Sequence, residues 1–149
     1  VGSAQDYNDL SVFTRRNIIS YNNNIQGKYA VNNKMNFNLS VRHYWAYATN
    51  NAFLTLQNDG NLTNNTTYTN NIDSNFNAWN LDLSYNWWFA PGSQVSVLYR
   101  NFNLNTDTFG SDFSKSLGRN LSDSFNNDNL NHIFSISVRY FIDYNNLKK

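Results

Sequence analysis

The sequence predicts an all-β protein, an antiparallel up-and-down transmembrane β-barrel of which these 149 residues form the C-terminal five or six strands. Three observations lead to this fold class. The chain has 31 Asn and no Glu, and Asn disfavours helices because its side chain competes for backbone hydrogen bonds. Apolar and polar residues alternate with the period of two that is typical of strands. Short and long connections also alternate, as they do in transmembrane barrels.

Runs of alternating residues locate the strands. Five strands are predicted near residues 15–31, 34–56, 76–89, 94–106 and 131–144, with part of a sixth in 1–13. In the third run Leu81 and Leu83 lie on one face, and Asn80 and Asp82 lie on the other. The apolar parity changes within 94–106, which predicts a β-bulge near Arg100.

The connections between these strands predict their orientation. Residues 32–33 and 90–93 read as tight turns, since Asn, Pro and Gly favour turn backbone conformations. Residues 57–75 and 107–130 are long and polar. Outer-membrane barrels have short periplasmic turns and long extracellular loops. We therefore expect the two turns to be periplasmic and the two long segments to be extracellular.

Large aromatic residues recur near the ends of the predicted strands. Trp79 and Phe89 lie ten residues apart on one face, and a strand tilted by about 40° covers roughly 25 Å of membrane height over that distance. His43 falls on the same parity among aromatics and is expected at interface level. The predicted membrane-interface aromatics are Trp45, Tyr47, Trp79, Trp87, Phe89 and Tyr144. The alternative is a soluble β-sandwich, whose core would use mainly Val, Ile and Leu.

Charged residues of the strands fall mostly on the opposite, polar parity. Arg42, Asp82, Arg100 and Arg139 are the predicted lumen charges. In a barrel interior such groups pair with one another or line a pore and set its selectivity. Structural pairing is the favoured interpretation.

The last strand has a predicted role in barrel assembly. An unpaired strand edge offers main-chain hydrogen bonds, and alternate side chains set its register. The apolar residues of this strand are Phe134, Ile136, Val138, Tyr140 and Ile142. The simpler interpretation, a closing strand of the barrel, is compatible with this role.

Composition excludes several other classes of site. The chain has no Cys and only two His, and no calcium-loop spacing occurs, so we expect no metal and no cofactor. A net charge of +1 argues against nucleic-acid binding. No pair of carboxylates or nucleophilic motif points to catalysis, so we expect no enzyme.

Several segments also resemble a known family. They are 33–35, 42–45, 76–85, 88–93 and 139–144. Together they resemble the C-terminal barrel of a family of large Bacteroidota outer-membrane proteins of unknown function. Members of that family carry an N-terminal carbohydrate-binding-like domain of the family nine type. The resemblance implies an outer-membrane location and a preceding region that holds the rest of the barrel.

These observations predict a non-enzymatic barrel segment that serves as membrane anchor or pore wall of a larger surface or transport assembly. Five or six strands cannot close a bilayer-spanning barrel, which needs about eight. The expected partners are therefore the lipid bilayer, further strands from the same polypeptide or a partner barrel, and the outer-membrane assembly machinery. Two alternatives are a soluble secreted all-β module that binds a glycan or protein, and a part-folded barrel held by that machinery.

Overall fold

The computed structural model describes residues 4–7, 10–108, 117–126 and 130–142. Its strands are β1 (Ala4–Tyr7), β2 (Leu10–Asn32), β3 (Met35–Leu56), β4 (Leu62–Asn64), β5 (Ser74–Ala90), β6 (Ser93–Thr108) and β7 (Asn131–Arg139), and its helix is α1 (Leu117–Asn126). All strand pairs are antiparallel. The all-β antiparallel fold that the alternation predicted is therefore confirmed.

The strands form one sheet in the order β1-β2-β3-β5-β6-β7, with β4 paired to β3. Over the described residues this sheet is open. β7 pairs only with β6, and β2 pairs with β1 only from Leu10 to Phe13, so most of its outer edge is unpaired. A closed barrel is absent from the described part of the chain.

Two tight turns, residues 33–34 and 91–92, mark one end of the sheet. Gly92 adopts φ +71°, which a residue with a Cβ rarely adopts. A Cβ on Gly92 would also lie 2.9 Å from Cβ of Phe141. Both the backbone conformation and the space at this position therefore favour glycine. We call this end of the sheet the turn end and the opposite one the loop end.

Both predicted long loops contain regular structure, and two strand limits differ from those expected. β4 lies within 57–75 and α1 lies within 107–130. β2 begins at Leu10 rather than near residue 15, and β7 ends at Arg139 rather than at 144. A sixth strand in 1–13 was expected, and β1 lies there.

The predicted bulge near Arg100 is wrong. β6 pairs with β5 without interruption from Val95 to Thr108, and with β7 from Gln94 to Phe102. Register shifts occur instead at Arg15/Arg16, Ala30/Asn32 and Trp87/Ala90. In β6 the side chains of Val95, Val97 and Tyr99 lie on one face of the sheet, and those of Phe102 and Leu104 lie on the other, without a shift in register.

The buried apolar side chains lie towards the loop end. They include Val12, Trp45, Ala48, Leu54, Tyr68 and Trp79. Phe53 and Tyr68 pack with ring centroids 4.7 Å apart, which holds the segment after β4 against β3. Towards the turn end, large apolar side chains remain exposed.

Candidate functional site

The register gathers the charged residues of the strands on one of the two faces of the sheet. Within 17–32, 35–47, 75–87, 94–106 and 131–139 the charged residues are Lys28, Arg42, Asp82, Arg100 and Arg139. Paired residues of antiparallel strands point to the same side, and the pairings place all five on one side. We call this side the charged face and the opposite side the uncharged face.

The uncharged face carries an apolar belt in the half nearer the turns. Successive rows across the sheet place Leu39 beside Leu83, and Phe37 beside Tyr85. The belt consists of Ile25, Tyr29, Phe37, Leu39, Val41, Leu81, Leu83, Tyr85, Trp87, Val95, Val97, Tyr99, Phe134, Ile136 and Val138. Its outer strands are well exposed: Tyr29 is 68% and Phe134 66% accessible. Exposed apolar surface of this extent indicates an interaction surface.

Beyond the belt, the same face becomes polar. We call this part the amide layer, formed by Asn23, His43, Asn75, Asn77, Asn101 and Asn103 around Trp45 and Trp79. Trp45 Nε1 donates to Asn75 Oδ1 at 2.7 Å, and Trp79 Nε1 donates to Asn101 Oδ1 at 2.9 Å. Each indole N–H is thereby satisfied inside the protein.

His43 is buried within the amide layer. Its Nε2 lies 2.8 Å from Asn77 Oδ1. An amide oxygen only accepts, so Nε2 carries the proton. Asn23 Nδ2 lies 3.4 Å from the other ring nitrogen. His43 is 3% exposed, so it is a hydrogen-bonded interior residue.

Helix α1 covers the amide layer. Asn77 Nδ2 donates to Ser124 Oγ at 3.1 Å, and the Phe125 ring meets Trp79 edge-on with centroids 4.6 Å apart. Beside these contacts a cavity of about 410 Å³ lies between α1 and the sheet, lined in part by Ile25 and Leu121. It adjoins the unpaired edge of β2.

The charged face holds an ionic cluster at mid-sheet. Arg100 Nε donates to Asp82 Oδ1 at 2.6 Å, and Arg42 lies 3.6 Å from the other Asp82 oxygen. Arg42 also donates to Asn80 Oδ1 at 3.0 Å. Three of the four predicted lumen charges therefore meet. Arg139, the last residue of β7, lies on the same face and pairs with Gln94 at the start of β6.

The predicted interface aromatics among the described residues fall into two groups. Trp45 and Trp79 are 1% and 7% exposed, and Tyr47 packs on Trp45 with centroids 5.1 Å apart. Trp87 lies near the turn end, where it is 38% exposed and packs against Phe89. Tyr144 lies outside the described residues.

The predicted assembly strand is only partly a strand. Phe134, Ile136 and Val138 project from β7 onto the uncharged face and are exposed. Tyr140 and Ile142 follow the end of the strand, so their assignment to it was wrong. Tyr140 stacks on Phe89 at 6.3 Å, and the following amide, of Phe141, donates to Ser93 Oγ at 3.0 Å. These contacts fasten the segment after β7 to the turn between β5 and β6.

Sequence reasoning missed the amide layer. Its signal was present, because Asn75 and Asn77 occupy the parity of Trp79 and Leu81, and Asn101 and Asn103 that of Tyr99. The contribution of α1 gave no such signal in a segment that reads as a polar loop.

The described residues offer few features of other kinds. They bring together no group of three His, Cys, Asp or Glu side chains that could hold a metal ion. No helix among them is long and apolar enough to cross a membrane.

Comparison with known proteins gives a family. No curated protein and no solved structure matches the chain. The model of the family described as "Domain of unknown function (DUF5916)" matches residues 1–149. Because that match covers the whole chain, the protein belongs to the DUF5916 family.

Proposed function

We propose that this chain is a non-enzymatic segment of a bacterial outer-membrane β-barrel, serving as membrane anchor or pore wall of a larger surface or transport assembly. The observation that carries the proposal is the separation of charge. Lys28, Arg42, Asp82, Arg100 and Arg139 all lie on one face, opposite the apolar belt. Alternation of a lipid-facing apolar side and a polar interior is the pattern of transmembrane barrel strands.

The unpaired edges of β2 and β7 support a larger barrel. In hydrocarbon each unpaired backbone N–H or C=O costs several kcal/mol, so an open sheet is unsuited to a bilayer. We propose that further strands of the same polypeptide, or of a partner barrel, pair with these edges. A preceding region is also what the resemblance to large Bacteroidota outer-membrane proteins with a carbohydrate-binding-like domain implies.

In this arrangement the charged face lines the barrel interior. The Asp82 cluster, at 2.6 and 3.6 Å from its two arginines, cross-links β3, β5 and β6 there. The arginines neutralise the single carboxylate and leave a net positive charge, which Lys28 and Arg139 increase. If the interior is open to water, this wall favours anions.

We further propose that β7 is the strand that the outer-membrane assembly machinery recognises. Its outer edge is unpaired over the described residues, and Phe134, Ile136 and Val138 are between 61% and 66% exposed. Main-chain pairing along that edge, with alternate apolar side chains setting the register, is a common mode of strand recognition.

Fractionation of cells that express the intact protein tests this function. We expect it in the outer-membrane fraction, resistant to extraction at alkaline pH and released by detergent. Recovery in the soluble fraction would contradict the proposal and favour a soluble secreted binding module. Stable co-purification with the assembly machinery in place of release from it would identify a part-folded substrate instead.

A further inference from the structure

The bilayer contact of this sheet has a definable outer boundary. We infer that the hydrocarbon ends between the row of Val41 and Leu81 and the row of His43 and Trp79, and that the loop end of the sheet projects beyond it under the cover of α1. The inference rests on the proposed function, which it deepens by defining the surface that meets lipid. Three independent observations support it.

The first observation is strand length. β2 and β3 contain 23 and 22 residues, about twice the 9–11 that a tilted strand needs to cross a bilayer. Leu81 lies nine residues before Ala90, which is the residue of β5 at the turn end. At about 3.3 Å per residue and a tilt near 40° this covers roughly 23 Å, close to the apolar band of about 25 Å in such barrels. The part of β5 between Leu81 and the turn end is therefore tall enough to cross the apolar band.

The second observation is the helix that covers Trp79. The sequence of α1 includes Arg119 and Asp123, and a charged residue at the centre of a bilayer costs about 2.5–3.5 kcal/mol. Contact between α1 and β5 through Ser124 and Phe125 places the helix directly over the amide layer. The amide layer is thus separated from lipid by a helix that is itself unsuited to hydrocarbon.

The third observation is the exchange of polarity between the faces. Above the boundary the uncharged face carries Asn75, Asn77 and Asn103, and the charged face becomes apolar. The latter carries Tyr44, Ala46, Phe76, Ala78, Phe102 and Leu104, with Tyr44 and Phe76 packed at 5.8 Å. A lipid-facing surface keeps its apolar side throughout its height, so this exchange marks where lipid contact ends.

Two tryptophans on the uncharged face provide the test. Trp87 lies within the apolar belt, and Trp79 lies in the first row beyond the proposed boundary. They differ also in cover, since Trp79 is 7% and Trp87 38% exposed. Weaker contact of Trp79 with lipid therefore reports the end of the hydrocarbon together with the cover of α1.

The experiment measures quenching by brominated lipids. Variants of the intact protein that retain Trp79 alone or Trp87 alone, the other tryptophans being Phe, are reconstituted into vesicles whose acyl chains carry bromine near the headgroup. We expect Trp87 to lose most of its emission and Trp79 to keep most of it. Adding Phe125→Ala to the Trp79 variant is expected to increase its quenching.

The quenching of the two tryptophans distinguishes failure of the boundary from failure of the membrane function. Equal quenching of Trp79 and Trp87 would overturn the boundary and leave the membrane function standing. Absence of quenching at both would overturn the membrane function itself. If a single-tryptophan variant does not fold, a nitroxide attached at Gly118→Cys on α1 gives the same answer: access to a water-soluble relaxation agent supports the boundary, and access to oxygen alone contradicts it.

Discussion

Replacing Leu83 with arginine is the sharpest single perturbation of the apolar belt. Leu83 lies at the centre of β5, flanked by Leu39 on β3 and Tyr99 on β6, and is 39% exposed. Full burial of a leucine contributes about 1.5–3 kcal/mol, so loss of this partial burial costs about 1–2 kcal/mol. An arginine facing lipid near the bilayer midplane adds about 2–4 kcal/mol. The expected total is about 3–6 kcal/mol.

Leu98→Arg provides a matched control. Leu98 is also half-buried and lies on the neighbouring strand, but it faces the charged side between Ser84 and Ser135. It loses similar apolar contact without placing a cation in lipid, so about 1–2 kcal/mol is expected. Urea unfolding of the intact protein from lipid vesicles measures both free energies of unfolding. Equal losses for the two variants would refute the assignment of the uncharged face to lipid.

Three further predictions concern local features. Asp82→Asn leaves Arg100 without its carboxylate partner and is expected to lower the free energy of unfolding by about 1 kcal/mol. The loss is expected to be smaller at high salt, because such partly exposed pairs are screened. Urea unfolding at two salt concentrations measures this loss, and a loss that does not depend on salt would contradict the prediction. Gly92 and Gly60 both have a positive φ, but a Cβ at Gly92 would lie 2.9 Å from Phe141, whereas a Cβ at Gly60 would meet open space. Gly92→Ala is therefore expected to lower the thermal midpoint of unfolding more than Gly60→Ala does. Equal shifts for the two variants would contradict this. Hydrogen bonds from the backbone and side chain of Asn61 hold the pKa of Asp59 below that of an ordinary aspartate. The stabilisation is therefore complete above the unfolded-state pKa and is lost as the pH falls through the folded-state pKa. A carboxyl titration of Asp59 by NMR with an ordinary midpoint would contradict this.

The strands could be predicted from sequence because their signal is local. In β5 the apolar residues from Trp79 to Trp87 occupy one parity, and Asn80 to Asn86 occupy the other, so strand identity and facing follow from a period of two. The turns were equally local, since Asn, Pro and Gly carry the backbone preferences that place them.

The cover over the loop end could not be predicted because it depends on a distant contact. The partners Asn77 and Ser124 are separated by 47 positions, and nothing in the residues around Ser124 indicates a helix over a sheet. The error at Arg100 has a different cause. The change of parity at Leu98, Phe102 and Leu104 appeared to require a bulge, because a single apolar face was assumed along the whole strand. Asn101 and Asn103 lie on that face without a bulge, and Asn101 Oδ1 accepts a hydrogen bond from Trp79 Nε1 there.

Site-directed spin labelling along β5 tests the central claim most directly. The chain contains no cysteine, so single cysteines at consecutive positions from Leu81 to Asn86 are the only thiols that it contributes. They are labelled in the intact protein, with any cysteine outside this chain replaced by serine, and the protein is reconstituted in vesicles. We predict that labels at Leu81, Leu83 and Tyr85 are relaxed mainly by oxygen, and that labels at the positions between them are relaxed less by oxygen. Accessibility to oxygen that shows no period of two, or that peaks at Asp82 and Ser84, would contradict a lipid-facing uncharged side.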